Sequence, residues 1–578
     1  MMSQATKLAK EEEALGDWPR RLLHVPSMRS LEWKRGNKYG TFVAPAYNVI
    51  TYTWGRFRLN DGEMSNIKAV DIKGTPWKIP RVRPSHFTAD QFLAVIQSTM
   101  RTVRELGSSR KHLIEFLWLD VACIDQRESV PESAAEIGRQ AAIFRGATHT
   151  FIWLTARPAK ALQLNLDDLR QATETLSTTD IHSDVAKNSI VNIHRCFQQL
   201  FSDPWFSSLW TLQEAWLGHS GIFMSQDGQS HEFSGTDNVT LYVVMQWCDA
   251  LYLSHAEKDD FPGPHRQAIE LYQKTGLKAI ASGNALAVYV ASAFRKASLD
   301  QDRIYGIQQV FQLRVGNSGI KASPGVRYTR SELEDQLGKL LLNKYPVQSQ
   351  LFIHKVPVPK GRAWFVNQKS LFVASYDADG IPYPSWDGLL GPRVKKPMCM
   401  LSTKRIDSST WGTFDGRICK FSDLNAACRR LEAFLFDRNK EGVGPILMLA
   451  LDNTDELQNI PGYQSDEPII PKLSSNAEAH DLASWLAEDS IASKQGSIVV
   501  LLLGPHELFE DCAAMIGLIL SCHDTADLTY YRRLGFCWWS LFAFSVYEDS
   551  LEEKDIESDY RFLEGQGRLW ETTQGIFG

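Results

Sequence analysis

Three short segments in the first part of the chain read as strands: the β-rich YNVITYT (47–53), the apolar run FLWLDVA (116–122) and THTFIWLT (148–155). Each has the length of a strand, and none shows the in–out alternation of a strand with one wet face. A strand buried on both sides belongs to a parallel sheet covered by helices. Between these runs the apolar period becomes helical. Phe92, Val95, Ile96, Met100 and Val103 predict a helix over 88–105. Residues 133–146 read as a second helix, and the polar stretch 155–202 has helical potential. A further helix is expected from about 205 to 217, just after Asp203-Pro204. Such alternation predicts an α/β class, a parallel sheet flanked by helices. Residues 265–345 look mainly helical. GPILMLALD (444–452) and SIVVLLLG (497–504) are expected as buried strands of a mixed α/β C-terminal domain, with 453–480 a loop between them.

Composition narrows the class. At 578 residues the chain has room for two or three domains. With 44% hydrophobic and 22% charged residues it can bury sizeable cores. The net charge of −6 offers no basic surplus for nucleic acid. The N-terminus has no apolar signal segment, and runs such as Ile498–Leu503 fall far short of the roughly 20 residues needed to span a bilayer. Nine cysteines, an odd number without metal-ligand spacing, read as reduced thiols. A cytoplasmic protein follows, without disulfides, metal or membrane span. There is also no phosphate loop, no G-x-G-x-x-G turn, no G-x-S-x-G elbow and no H-E-x-x-H helix.

Candidate chemistry collects where the predicted strands end, because open parallel sheets bind ligands beyond their carboxyl ends. Trp54-Gly55, Asp120 to Gln126 and Trp153 to Thr155 lie there. Asp120 and Asp125 either cap the following turn or touch a ligand directly. In the 205–217 helix, Trp205, Leu209, Leu212 and Trp216 make one apolar stripe, and Phe206, Trp210 and Leu217 an adjoining one. Glu214, four residues after Trp210, sits at the edge of the apolar arc. It either pairs with a cation on a neighbouring element or does chemistry. Trp118, Trp153 and Cys123 read as core, Gln126 and Gln140 as scaffold hydrogen-bonders, Asp302-Arg303 as a helix-start ion pair.

Four blocks carry a resemblance. YNVITYTWG (47–55), LWLDVACIDQ (117–126), EIGRQAAIFRGATHTFIWL (136–154) and PWFSSLWTLQEAWL (204–217) resemble, in order, the signature segments of the fungal heterokaryon incompatibility (HET) family. Ser208 stands where that family often has Arg. The segment RKASLDQDRIYGI (295–307) resembles what commonly follows the domain, so the likeness covers roughly residues 21–310. HET domains are in turn similar to TIR domains. Trp210 to Glu214 has the W-x-x-x-E spacing of NAD-cleaving TIR domains, whose Glu is catalytic.

The resemblance implies a domain plan: a loosely ordered 1–20, a TIR-like HET domain over 21–220, a mainly helical extension over 221–345 and a C-terminal domain over 346–578. It implies a self/non-self cell-death effector that hydrolyses NAD(P) at the nicotinamide–ribose bond. Glu214 would be catalytic, and Tyr52, Trp54, Gly55, Asp120 and Trp210 would bind the nucleotide. NAD or NADP would be substrate, with no resident cofactor. A homo-oligomer or a partner protein would form on activation. The alternative is a TIR-like signalling and self-association module without catalysis.

Overall fold

A computed structural model describes residues 4–104, 111–127, 130–180, 182–233, 237–253, 263–319, 326–371, 397–407, 409–439, 446–454, 457, 476–488, 497–509, 512–524, 529–540 and 554–578. The chain forms two compact units. The first takes residues 1–281 and 291–337, the second 282–290 and 338–578, and the border falls within the Arg330–Lys344 helix.

The first unit is built on an eight-stranded sheet. Its heart is parallel: Tyr47–Thr51 lies between Phe116–Trp118 and Thr150–Trp153, and Ile222–Met224 flanks the last. Every residue of the three predicted strands is buried within these bounds, as strands covered on both faces require. On the other side Arg21–His24 pairs antiparallel with Phe116–Trp118 and leads into Arg29–Lys34, Lys38–Tyr39 and Phe42–Val43. This antiparallel wing carries no pattern that marked it beforehand. At the N-terminus, where loose order was expected, Gln4–Leu15 is helical, with Leu15 buried and Glu12 paired to Arg314 at 3.0 Å.

Several elements differ in extent from the sequence pattern. The 88–105 helix is Ala89–Ser98, opened by a Thr88–Gln91 capping box. It stops because Arg101–Arg104 instead pairs with Lys111–Ile114 as a hairpin. The 133–146 helix is two, Pro131–Ile137 and Gln140–Gly146. At the break, a Cβ on Gly138 would lie 2.6 Å from the Arg314 side chain and 2.9 Å from the Ser318 carbonyl, so close packing demands glycine. A buried Glu136–Arg139 ion pair at 3.3 Å sits beside it. The polar stretch after residue 155 forms two long helices, Ala159–Thr178 and Asp184–Leu200, packed together.

The expected 205–217 helix is shorter. Pro204–Ser207 is a 3-10 turn, Ser208 is extended, and the α-helix is Leu209–Leu217. Trp205 therefore does not continue the helical stripe. Asp203 holds the turn by accepting the Trp205 amide at 2.9 Å, and Ser208 bridges to Lys296. Only Asp302–Tyr305 of the 295–307 segment is helical. Asp302 and Arg303 do not pair: Arg303 donates to the Ser292 and Arg295 carbonyls.

The second unit holds a seven-stranded sheet in the order Met400–Ile406, Ser409–Lys420, Ile498–Phe509, Cys512–Asp524, Thr529–Ser540 and Leu447–Leu451, with Glu571–Phe577 paired to the second and fifth of these. Helices Phe421–Asn439, Asn476–Ala487 and Lys554–Leu563 contribute Leu431, Leu482 and Leu563 to the same core as Leu449 and Val500. Both apolar strands read from the sequence lie in this sheet. Most of the 453–480 loop lies outside the described residues. Among the described residues no helix is long and apolar enough to cross a membrane.

Candidate functional site

Topology places a crevice at the head of the parallel strands. In chain order Tyr47–Thr51 is first, Phe116–Trp118 second, Thr150–Trp153 third and Ile222–Met224 fourth, yet their spatial order is second, first, third, fourth. The chain leaves the first strand to one side and later returns to its other side. Loops at adjacent carboxyl ends then diverge, and such a switch point is where open parallel sheets bind ligands.

Four of the candidate residues meet there. Tyr52 leaves the first strand and turns its hydroxyl to Asp120, donating to Oδ1 at 2.8 Å. The Trp54 indole N–H donates to Oδ2 of the same carboxylate, and the Val121 amide donates to Oδ1 at 2.7 Å. Asp120 thus serves partly as the cap of its own turn and partly as the hub of the loop above it. Burial raises its pKa, and its three donors oppose that rise. Tyr52 is buried and its pKa is pushed up by burial and by Asp120.

Glu214 comes from the Leu209–Leu217 helix and is half-buried. It makes no salt bridge to a cation among the described residues. Instead the Thr51 hydroxyl donates to its Oε2, and the Trp205 indole N–H donates to that hydroxyl at 2.9 Å. Burial pushes the Glu214 carboxyl up to about 8; the Thr51 bond lowers it and the Asp120 charge raises it. An indole, a threonine and two carboxyls therefore form one polar set at the switch point. A carboxyl titrating near 8 can give or take a proton at physiological pH, which suits acid–base work.

The remaining candidates lie differently. Trp210 is half-buried and its side chain hydrogen-bonds Asp302. Gly55 is exposed and opens the Gly55–Phe57 turn, with free space where a Cβ would stand. Asp125 is engaged by Arg127 at 2.5 Å, and Gln126 ties the Asp120 and Ile124 carbonyls. Gln140 accepts from buried Gln213 at 2.7 Å. Trp118, Trp153 and Cys123 are core. Arg56 reaches the Pro204 carbonyl and Ser207, not the crevice carboxylates.

Pattern reading passed over four contributors. Thr51 and Trp205 link the sheet to Glu214, but both look like ordinary strand and helix residues in the sequence. His86 stacks on Phe57 with 3.7 Å between ring centres and sits 2.6 Å from the Thr53 carbonyl. Burial lowers its pKa to about 4, so it is a neutral prop for the loop bearing Tyr52 and Trp54. Arg295 is wholly buried and pairs with no carboxylate among the described residues. It donates to the carbonyls of Thr275 at 2.7 Å, Trp205 at 2.8 Å and Ser208 at 3.1 Å. An isolated buried Arg was the one signal available, and no local spacing discloses its target.

Comparison with known proteins gives one match. No curated protein and no solved structure matches the chain. Residues 47–214 match the family model described as heterokaryon incompatibility protein (HET). The match begins at the first residue of the central strand and ends at Glu214, so it spans the parallel block through Thr150–Trp153 together with the carboxyl that closes the site. The chain carries a HET domain over residues 47–214.

Proposed function

We propose that this HET domain, whose family role is heterokaryon incompatibility, acts by cleaving the nicotinamide–ribose bond of NAD or NADP in a TIR-like manner. The observation that supports the reading is the placement of Glu214 beside Asp120 at the switch point. In the reaction the C1′–N bond breaks and its electron pair returns to the pyridinium nitrogen, releasing neutral nicotinamide. The ribosyl cation left behind takes up water, and a carboxylate accepts the proton. Ionised Glu214 stabilises the developing positive charge, as carboxylates do in glycoside hydrolysis. Its raised pKa does not forbid this, because the positive charge of the bound pyridinium favours the ionised form. Tyr52 and Trp54 orient Asp120, and the half-buried Trp54 offers aromatic surface to the nucleotide. Activation through a homo-oligomer or a partner protein belongs to the same proposal.

The second reading, a signalling module without catalysis, draws on one observation. A Glu214 that keeps its proton and holds Thr51 is a structural hydrogen-bonding group. The test is nicotinamide release by purified, assembled protein given NAD or NADP. Glu214→Gln is expected to lower turnover by about 10²–10³ with the fold retained, the usual loss for one positioned electrostatic group. Wild-type turnover in that variant would remove Glu214 from the mechanism. Absence of any release by assembled wild-type protein would replace the enzymatic reading with the signalling one.

A further inference from the structure

The central strand Tyr47–Thr51 ends on a hydroxyl that is enclosed by protein, for Thr51 is buried. Its oxygen has two partners among the described residues, Trp205 on one side and Glu214 on the other. An indole nitrogen only donates, so Thr51 accepts from Trp205 at 2.9 Å. A hydroxyl owns one proton. If Glu214 donated as well, the Thr51 oxygen would receive two protons and its own would find no acceptor among these partners. The Thr51 proton is therefore committed to Glu214 Oε2. Glu214 Oε1 has no hydrogen-bond partner among the described residues, so the two oxygens differ: one is anchored and the other is open.

Trp205 is held from every side. It is buried edge-on against Phe206, with 4.9 Å between ring centres. Asp203 accepts its amide at 2.9 Å, and Arg295 donates to its carbonyl at 2.8 Å. The charges around Glu214 are few. Asp120 raises its pKa, and Glu214 in turn raises that of Tyr52. Of the elements packed on the Leu209–Leu217 helix, Pro204–Ser207 and Gln308–Phe311 carry no ionisable side chain. Gln140–Gly146 brings Arg145, which is exposed, and Leu277–Ala281 brings Lys278, which is paired with Asp249 at 3.5 Å. Asp203, Arg56 and Arg295 are engaged by the turn itself. With no cation in contact among the described residues, the Thr51 hydroxyl is the group that favours the charged carboxyl.

We propose that Trp205 and Thr51 are positioning residues for Glu214: the indole commits the Thr51 proton to Oε2, which fixes the carboxyl in place and leaves Oε1 for the reacting ribose. What Oε1 meets rests on the nicotinamide–ribose cleavage proposed above; the hydrogen-bond relay does not. A hydrogen bond given to the charged form favours that form, so the relay offsets part of the burial that pushes Glu214 up to about 8. Trp205 adds to it, because a hydroxyl that accepts one hydrogen bond donates another more strongly.

The test compares the full chain with Thr51→Val, Thr51→Ser and Trp205→Phe, each with and without Glu214→Gln, by chemical denaturation across pH. The gap between a protein and its Glu214→Gln counterpart opens from about pH 4.5 and levels off where folded Glu214 titrates, near pH 8 in the wild type. Thr51→Val keeps the shape and drops the hydroxyl, so this levelling should move up by about one pH unit. Thr51→Ser restores the hydroxyl and should bring it back to the wild-type position. Trp205→Phe should move it the same way by less. Nicotinamide release needs the ionised carboxyl, so its rise with pH should shift in step: Thr51→Val should be about tenfold slower at neutral pH and recover toward about pH 10. A merely structural role would lower turnover alike at every pH and leave the titration in place. An unmoved titration in Thr51→Val overturns the proposal, whether or not the wild type releases nicotinamide. So does a Thr51→Ser that titrates with Thr51→Val. Should the wild type release none, the function proposed above fails, and the titration still decides the relay.

Discussion

At the scale of one residue, Glu214 sets its proposed catalytic role against stability. Its carboxyl titrates near 8 in the folded chain against an ordinary value of 4.5, chiefly because of burial. The folded state therefore holds this proton more tightly than the unfolded chain does. The stability it contributes is complete below about pH 4.5 and is lost progressively as pH rises to about 8. Glutamine has no proton to lose. Glu214→Gln should therefore gain on wild type across that window, by about 2–4 kcal/mol in all, less than the full shift because the group is half-buried. Melting temperatures from pH 4 to pH 9 check this; parallel curves for the two proteins would show that Glu214 is not strained by burial. A residue that weakens the fold where the protein works is common at functional sites.

At the scale of elements, the Leu209–Leu217 helix owes its position to a residue far from it in sequence. Arg295 gathers the carbonyls of Trp205 and Ser208 just before the helix, together with that of Thr275. Burial lowers its pKa to about 9, so its charge is retained at neutral pH. Neutral dipoles, not a counter-ion, compensate it. Arg295→Met keeps apolar volume but takes the guanidinium from the Thr275 carbonyl and leaves the Trp205 and Ser208 carbonyls to share the Thr211 hydroxyl, at a cost of about 2–4 kcal/mol. Chemical denaturation reads that loss. A cost under about 0.5 kcal/mol would mean that water replaces the guanidinium. A shift of the turn would detach Trp205 from Thr51, so this variant should also lose the nicotinamide release proposed for Glu214.

At the scale of the whole molecule, each unit has its own buried core, one around Val49, Trp118 and Trp153, the other around Leu449, Val500 and Trp539. The cysteines are distributed over both. The eight cysteines whose side chains are described form no disulfide among themselves, and seven of them are buried. Burial pushes Cys123 and Cys399 up to about 12 and Cys196 up to about 11, which suppresses the reactive thiolate. Cys522 is the less buried exception among them. Thiol titration without reductant should count all nine when the chain is denatured. In the native protein Cys522 should be the first of the described cysteines to react. Fewer than nine after denaturation would reveal a disulfide.

The sequence by itself determined what depends on local burial. A strand without a polar face must be covered on both sides, so 47–53, 116–122 and 148–155, which lack in–out alternation, announced a parallel sheet whatever their neighbours were. The same rule drew attention to the strand ends, where Trp54 and Asp120 lie and hydrogen-bond each other. Tertiary structure decided what depends on distant partners. The 205–217 helix begins at Leu209 because Asp203 holds a turn and Arg295 collects the carbonyls on either side of it. The W-x-x-x-E spacing made Trp210 and Glu214 neighbours on a helix, but it could not say that Trp210 would bond Asp302. Glu214 meets Thr51 across 163 residues, and only the fold places Asp120 near enough to raise its pKa. Helical and strand periods report the environment of a face; a carboxyl's partners and proton are fixed by groups that the chain brings back from far away.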